Sequence, residues 1–370
     1  MKNKSIGTLV SAIAALALLA GCSQGTPEKP AAEPTTDEAT TSSAATQEAP
    51  APFDKGDVRI AIVQNTGQGD YFQQFLNGTR KQAEALNVKV DVYDAQGDNA
   101  NQASQLDQAI ASGVQGILVR HGFPDSLCPG VNKALDKGIK VVIYDVEIQK
   151  CAPRAIQTQQ SDAKMASLVL DQMEKDLGQG AAIGYVNIAG IAPLDRRDVV
   201  FQEYVAKNNW NVKFKTGKYS ASTATDTTPM VDNALKANSD VVGVYAPYDE
   251  LSKATLSALE QNGALKDTVK VYGADISTAD IELMIREGST WVATGATDPN
   301  AIGAAVTRTL LKDIAGEQKE GDLVEFPPIL VTQDNMRAKG IKNMDELRKA
   351  EPSLNISDVS SSPWIPAVEF

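Results

Sequence analysis

Ile139-Lys-Val-Val-Ile-Tyr-Asp145 reads as a strand, Ile139 to Tyr144, that ends on a carboxylate. Its apolar residues run on without alternation. A strand with one face in water alternates, so this one belongs to a sheet covered on both faces. Immediately upstream, Gly116-Ile-Leu-Val119 reads as a second such strand, and Ser126 to Lys137 as the helix between the two. Strand, helix and strand in that order argue for parallel pairing. Working outward toward the N-terminus, the spacing predicts a helix over Ala100 to Ser112 and a strand over Val88 to Tyr93. Before these come a helix over Tyr71 to Leu86, with Phe72, Phe75, Leu76 and Ala83 near helical spacing, and a strand over Val58 to Val63. Toward the C-terminus the pattern restarts. Helices are expected at Ser161–Leu177, Arg196–Asn208, Thr225–Ala237, Glu250–Asn262, Thr278–Glu287 and Asn300–Ile314. The intervening strands are Ala181–Asn187, Val212–Thr216, Val241–Tyr245, Val269–Tyr272 and Trp291–Gly295. Two such series make an α/β protein of two doubly wound parallel-sheet lobes.

The N-terminus speaks to the compartment. Lys2 and Lys4 precede Leu9 to Ala20, apolar except for Ser11 and shorter than a comfortable membrane span. The run ends in Leu19-Ala20-Gly21-Cys22, which resembles the bacterial lipobox. That resemblance implies removal of residues 1–21 and lipid attachment at Cys22. Residues 22–56 are mostly Ala, Thr, Pro, Glu and Ser and cannot bury enough surface to order themselves. A disordered linker of about 30 residues reaches roughly 30 Å. No later apolar run reaches membrane-spanning length, so lipid alone is the expected anchor. With 35 basic and 47 acidic residues, the chain carries a formal charge of −12 and shows no basic patch with interleaved aromatics, so nucleic acid is not an expected partner. Cys128 and Cys151 are the two remaining cysteines. An even pair in an exported domain suggests a disulfide, the alternative being two buried thiols.

Ligands of open α/β sheets bind beyond the carboxyl ends of the strands, which makes the residues after each strand the informative ones. Asp145 and Asp275 both stand there, and a carboxylate accepts strong hydrogen bonds from vicinal hydroxyls. An N-cap is the other use of Asp at such a place. Arg197 opens a helix and can fork bonds to neighbouring hydroxyls, or it is part of a solvated helix start. Tyr71 and Phe72 suit either stacking on a sugar face or the core. Gly67 and Gly69 invite a dinucleotide reading, but Phe72 stands where that fingerprint needs a third glycine. His121, the one histidine, follows a strand beside Arg120, so both are candidates for the cleft rim; a structural role for the histidine is the alternative. One histidine provides no His-based metal pair, and no metal-spaced cysteines or phosphate-binding loop are present.

The order of these segments resembles the type I periplasmic binding proteins of the ribose-binding class, over about 57 to 325. The matching stretches are Asp70-Tyr-Phe with Gly78 six residues on, Ser112-Gly-Val-Gln-Gly-Ile-Leu-Val119, Gly138-Ile-Lys-Val-Val-Ile-Tyr-Asp145 and Val271-Tyr-Gly-Ala-Asp275. Pro124-Asp-Ser-Leu-Cys-Pro-Gly130 with Cys151-Ala-Pro-Arg154 is similar to the autoinducer-2 and rhamnose branch, which has a comparable cysteine pair. The resemblance implies an importer's solute-binding protein, not an enzyme, with no cofactor. It would work as a monomer, take a sugar or sugar-like polyol between its lobes and deliver it to an ABC permease. Carried over by position, the ligand-binding residues are Asn65, Tyr71, Phe72, Asp145, Arg197, Tyr248, Asp275 and Thr297. Val146 stands where ribose binders place arginine, and Tyr248 and Thr297 stand where they place asparagine and glutamine. Autoinducer binders place lysine near Asn65. The specificity is therefore expected to be this chain's own. The expected N-terminal lobe is 57–159 plus 298–325 and the C-terminal lobe and tail are 160–297 plus 326–370, with crossings near 158–161, 296–299 and 325–328. A same-fold receptor for a sensor kinase and an exported sugar-processing enzyme are the competing functions.

Overall fold

The computed structural model describes residues 42–43, 45–263 and 265–370. The expected signal segment (residues 1–21), the lipidation site Cys22 and the first part of the linker lie outside the described residues. A two-residue strand β1 (Ser42–Ser43) precedes β2 (Arg59–Gln64), α1 (Asp70–Glu84), β3 (Lys89–Asp94), α2 (Asn99–Ala111), β4 (Gly116–Arg120), α3 (Pro124–Asp136), β5 (Lys140–Tyr144) and β6 (Ile156–Gln160). The second series is α4 (Asp162–Leu177), β7 (Ala182–Val186), α5 (Ala192–Asn208), β8 (Asn211–Thr216), α6 (Thr223–Ala237), β9 (Gly243–Ala246), α7 (Asp249–Gln261), β10 (Lys270–Ala274), α8 (Thr278–Ile285) and β11 (Trp291–Ala296). Then follow α9 (Pro299–Ile314), β12 (Leu323–Phe326), β13 (Ile329–Thr332), α10 (Gln333–Lys339), α11 (Met344–Ala350) and β14 (Ala367–Val368).

One six-stranded sheet has the order β12-β6-β5-β4-β2-β3, and the other β13-β11-β10-β9-β7-β8. Every pair is parallel except β13, which runs antiparallel along β11 at the edge. The two doubly wound lobes expected from the sequence are therefore present. In each sheet the order reverses at one point, between β2 and β4 and between β7 and β9, and the crevice for a ligand opens beyond those strand ends. The chain passes between the sheets at three places, Ser161, Thr297-Asp298 and Pro327-Pro328.

The unalternating strands are explained by their burial. Val141, Val142, Ile143 and Tyr144 of β5 are all fully buried. Val142 and Tyr144 face α1 and α9, in a core with Phe75, Ile302 and Leu310. Val141 and Ile143 face α2 and α3, with Leu106, Leu127 and Val131. Glycine lets α1 and α9 approach backbone to backbone. A Cβ at Gly78 would overlap the Asn300 carbonyl, and one at Gly303 would overlap the Phe75 carbonyl. In the second lobe α4 and α5 cover one face and α6, α7 and α8 the other.

Two parts of the chain depart from the sequence reading. β6, Ile156-Gln-Thr-Gln-Gln160, is not recognisable as a strand by hydrophobicity, yet all five residues are buried. Hydrogen bonds make that possible: Thr158 Oγ1 donates to the Ile143 carbonyl at 2.9 Å, and Gln159 Nε2 to Glu325 Oε1 at 2.8 Å. The expectation that 326–370 stays with the C-terminal lobe also needs correction. Met344, Leu347 and Leu354 pack in that lobe. Ile356, Trp364 and Ile365 instead join the core under α1 and α9, with the Trp364 ring 4.9 Å from that of Phe53. Buried Arg308 of α9 draws the tail back, donating to the Ile356 carbonyl at 2.8 Å and to the Val359 carbonyl at 2.9 Å. Cys128 in α3 and Cys151 after β5 form a disulfide with their Cα atoms 5.9 Å apart. β4 and β5 are neighbours, which brings the two residues to one edge of the sheet. Closing a loop of this length contributes about 3 kcal/mol in the chain-entropy account.

Candidate functional site

Three residues that directly follow strands adopt left-handed backbone without being glycine: His121 after β4 (φ 53°), Asp145 after β5 (φ 54°) and Asp275 after β10 (φ 70°). Each such residue costs roughly 1–2 kcal/mol and persists only where its surroundings impose it. The turn lifts each side chain off its sheet edge and into the space between the lobes. That space is a cavity lined by residues of both lobes. Tyr71 and Phe72, in the first turn of α1, and His121 form one wall. Asp145, Gln160, Arg197 and Asp275 form a polar side. Phe123, Ile191, Pro193 and Leu194 are its apolar lining residues, and Tyr219 and Tyr248 complete the lining.

The polar side is organised by a residue outside the cavity. Asp162, at the start of α4, accepts from Arg197 Nε through Oδ1 at 2.7 Å and from Arg196 Nε through Oδ2 at 2.7 Å. Arg197 Nη1 then reaches the Pro247 carbonyl at 2.6 Å and Asp275 Oδ2 at 3.4 Å. Arg196 crosses to the other lobe, with Nη2 2.7 Å from Asp145 Oδ1 and Nη1 2.5 Å from Glu147 Oε1. Burial pushes the Asp145 carboxyl up, and the Asp162 charge adds to this; Arg196 and Arg197 pull it down, leaving it at about 7. Burial, and then Arg120, Arg196 and Arg197, hold the His121 imidazole well below its usual range, so it is neutral. Burial and the Asp145 charge likewise push the Tyr71 hydroxyl up, and it bonds to the Tyr144 hydroxyl. The lobes also meet through Tyr219, whose hydroxyl donates to Asn65 Oδ1 at 2.8 Å, and through Ser277, whose hydroxyl donates to Asp70 Oδ2 at 3.3 Å. Among the described residues no group of three or more His, Cys, Asp or Glu is placed to hold a metal ion. The arrangement can accept and donate hydrogen bonds around the edge of a small ring and bury an apolar part beside it.

The sequence profile of the periplasmic binding protein domain matches residues 60–318. The chain belongs to this family. This periplasmic binding protein is 29% identical over 266 residues to the ribose import binding protein RbsB of Escherichia coli, which covers 70% of this chain and 86% of that one. It superimposes with a TM-score of 0.81 and 34% identity on a solute-binding protein of a 5-methylthioribose transporter from Thermotoga lettingae, solved with 5-methylthioribose. That match covers 86% of this chain and 98% of the other. A sugar ABC transporter protein from Yersinia enterocolitica gives the same TM-score at 29% identity, over 87% of this chain and 98% of that one.

Within this periplasmic binding protein, Tyr71, Phe72, Asp145, Arg197, Tyr248 and Asp275 come together around the cavity. Asn65 and Thr297 do not line it. Asn65 is buried behind the wall, donating to Asn99 Oδ1 at 2.9 Å and Gln102 Oε1 at 3.0 Å while it holds Tyr219. Thr297 donates to Gln160 Oε1 at 2.7 Å, so the side chain that reaches the cavity is that of Gln160. Arg120 also stands behind the wall rather than at the rim. Its guanidinium packs 5.0 Å from the Phe72 ring and 4.8 Å from the Phe75 ring and donates to the Phe72 carbonyl at 3.0 Å. Sequence reasoning missed Gln160, Tyr219, Phe123 and the Ile191–Leu194 segment as lining residues. All four follow strands, or end one, which is the signal that could have marked them.

Proposed function

We propose that this protein captures a monosaccharide of the pentose class bearing an apolar substituent and hands it to an ABC importer. One observation carries the reading: the cavity is lined both by the charged Asp145, Arg197 and Asp275 and by the apolar Phe123, Ile191, Pro193 and Leu194. A sugar with hydroxyls all around would set polar groups against these apolar residues, at a desolvation cost. A ring that carries both hydroxyls and an alkyl or alkylthio group uses both kinds of lining. The relative solved with 5-methylthioribose supports a ligand of that kind, and the ribose import proteins support the sugar and the importer. These relatives are binding proteins and work outside the cytoplasm.

Titration calorimetry over ribose, 5-methylthioribose, hexoses, polyols and inositols tests the assignment. Burying a group the size of methylthio contributes about 1.5 kcal/mol, so 5-methylthioribose should bind about tenfold more tightly than ribose. Preference for an unsubstituted hexose or polyol would overturn the apolar half of the assignment, and conversion of the bound sugar to a product would overturn the transport reading. The reading includes a lipid anchor at Cys22. Cys22→Ser should move the protein from the membrane fraction to the soluble one, and unchanged retention would place the anchor elsewhere.

A further inference from the structure

We infer that His121 is a specificity-determining residue: with Asp145 it forms a two-sided slot that reads one hydroxyl of the bound sugar. This rests on the sugar reading above. Arg120 and Tyr144 are register partners on adjacent strands, so the residues that follow them stand side by side. The His121 amide donates to the Tyr144 carbonyl at 2.9 Å, and Gln102 Nε2 donates to the His121 carbonyl at 2.8 Å, which fixes the left-handed turn. The imidazole is held edge-on by two rings, Phe72 at 5.3 Å and 83° and Tyr144 at 5.4 Å and 85°. Its plane is therefore set before any ligand arrives.

The polar atoms of this pair are incompletely used. Asp145 Oδ1 is taken by Arg196, but Oδ2 is buried without a hydrogen-bond partner among the described residues, and so is His121 Nδ1. His121 Nε2 lies 3.9 Å from Asp145 Oδ2, beyond hydrogen-bond range. Nothing else in the described protein fixes the tautomer. A neutral imidazole offers one N–H, and the ionised form of Asp145, which Arg196 and Arg197 favour, offers only acceptance at Oδ2. A hydroxyl meets both demands, accepting from Nε2–H and donating to Oδ2. A deoxy carbon at that place meets neither, leaving Asp145 Oδ2 buried and unpaired and the Nε2–H without an acceptor. An ether or carbonyl oxygen can accept but has no hydrogen for Asp145.

The test compares 5-methylthioribose and ribose with their 2-deoxy and 3-deoxy analogues by calorimetry. In the wild type, one deoxy analogue should bind about ten- to a hundredfold more weakly than its parent. His121→Phe keeps a ring between Phe72 and Tyr144 and removes the N–H. In this variant the parent should weaken by a similar factor while the deoxy analogue changes little, so that the ratio falls toward one. His121→Gly, which adopts left-handed backbone freely, should lose the same discrimination and decides the matter if the phenylalanine variant does not fold. A parent-to-deoxy ratio that survives in either folded variant overturns the slot, even if both affinities drop together. Wild-type protein that binds none of these sugars overturns the sugar reading and the slot with it; wild-type binding without hydroxyl discrimination overturns the slot alone.

Discussion

Asp275→Asn is expected to weaken sugar binding about ten- to a hundredfold with little change in stability. The backbone at Asp275 is held independently of its carboxylate, since its amide donates to the Gly295 carbonyl at 2.8 Å and its carbonyl accepts from Thr294 Oγ1 at 2.8 Å. Asparagine tolerates the left-handed φ of 70°, whereas alanine would add strain of its own. The carboxylate's bonds within the protein are long: Gln160 Nε2 and Arg197 Nη1 both lie at 3.4 Å. Arg197 has shorter partners in Asp162 and Pro247, so the acceptor capacity of Asp275 is left for a ligand. Replacing a buried charged acceptor by an amide costs 1–3 kcal/mol of binding, which is the tenfold to hundredfold range. Calorimetry beside a thermal melt separates the two effects. Wild-type affinity in the variant would take this carboxylate out of the site and remove the main support for the polar clamp.

Asp162→Ala is expected to reduce both stability and affinity. Asp162 is fully buried, and it is the one carboxylate that both Arg196 and Arg197 bond through Nε. Burial pushes its carboxyl up against the pull of Arg197 and Arg196, so the three groups depend on one another. Removing one member of a buried ion pair typically costs 3–5 kcal/mol, because the remaining charge stays buried without its partner. Arg197 would also lose the bond that aims it at Asp275. Urea unfolding should show a lower midpoint with an unchanged slope. A midpoint equal to that of the wild type would mean that Asp145, Glu147 and Asp275 suffice for the two guanidiniums, and that Asp162 does not organise the site.

The residues that were legible in the sequence share a simple property: their role follows from local position. Asp145 and Asp275 end apolar runs, and any doubly wound sheet directs such residues toward its ligand crevice. Tyr71 and Phe72 open a helix that begins beyond such a strand end, Arg197 lies in the second turn of another, and Tyr248 stands immediately before a third. The residues that were not legible depend on partners far away in the chain. Gln160 is turned to the cavity by Thr297, 137 residues later. Asn65 is drawn behind the wall because Gln102, Asn99 and Tyr219 use up its polar atoms. β6 has no hydrophobic signature because its side chains are buried by hydrogen bonding rather than by apolarity.

The sequence by itself determined that the body is two doubly wound α/β lobes, because unalternating strands separated by amphipathic helices have no other stable covering. It also determined which strand ends carry carboxylates and aromatic rings. Only the tertiary structure decided which lobe each late segment joins, since the Ile356 carbonyl is held there by the buried guanidinium of Arg308, and Trp364 and Ile365 by the core under α1 and α9, not by any local pattern. The tertiary structure likewise decided that the lone histidine belongs to the cavity. A left-handed turn, two aromatic edges and an unpaired carboxylate oxygen 3.9 Å away are properties of packing between strands, and periodicity along one chain carries no trace of them.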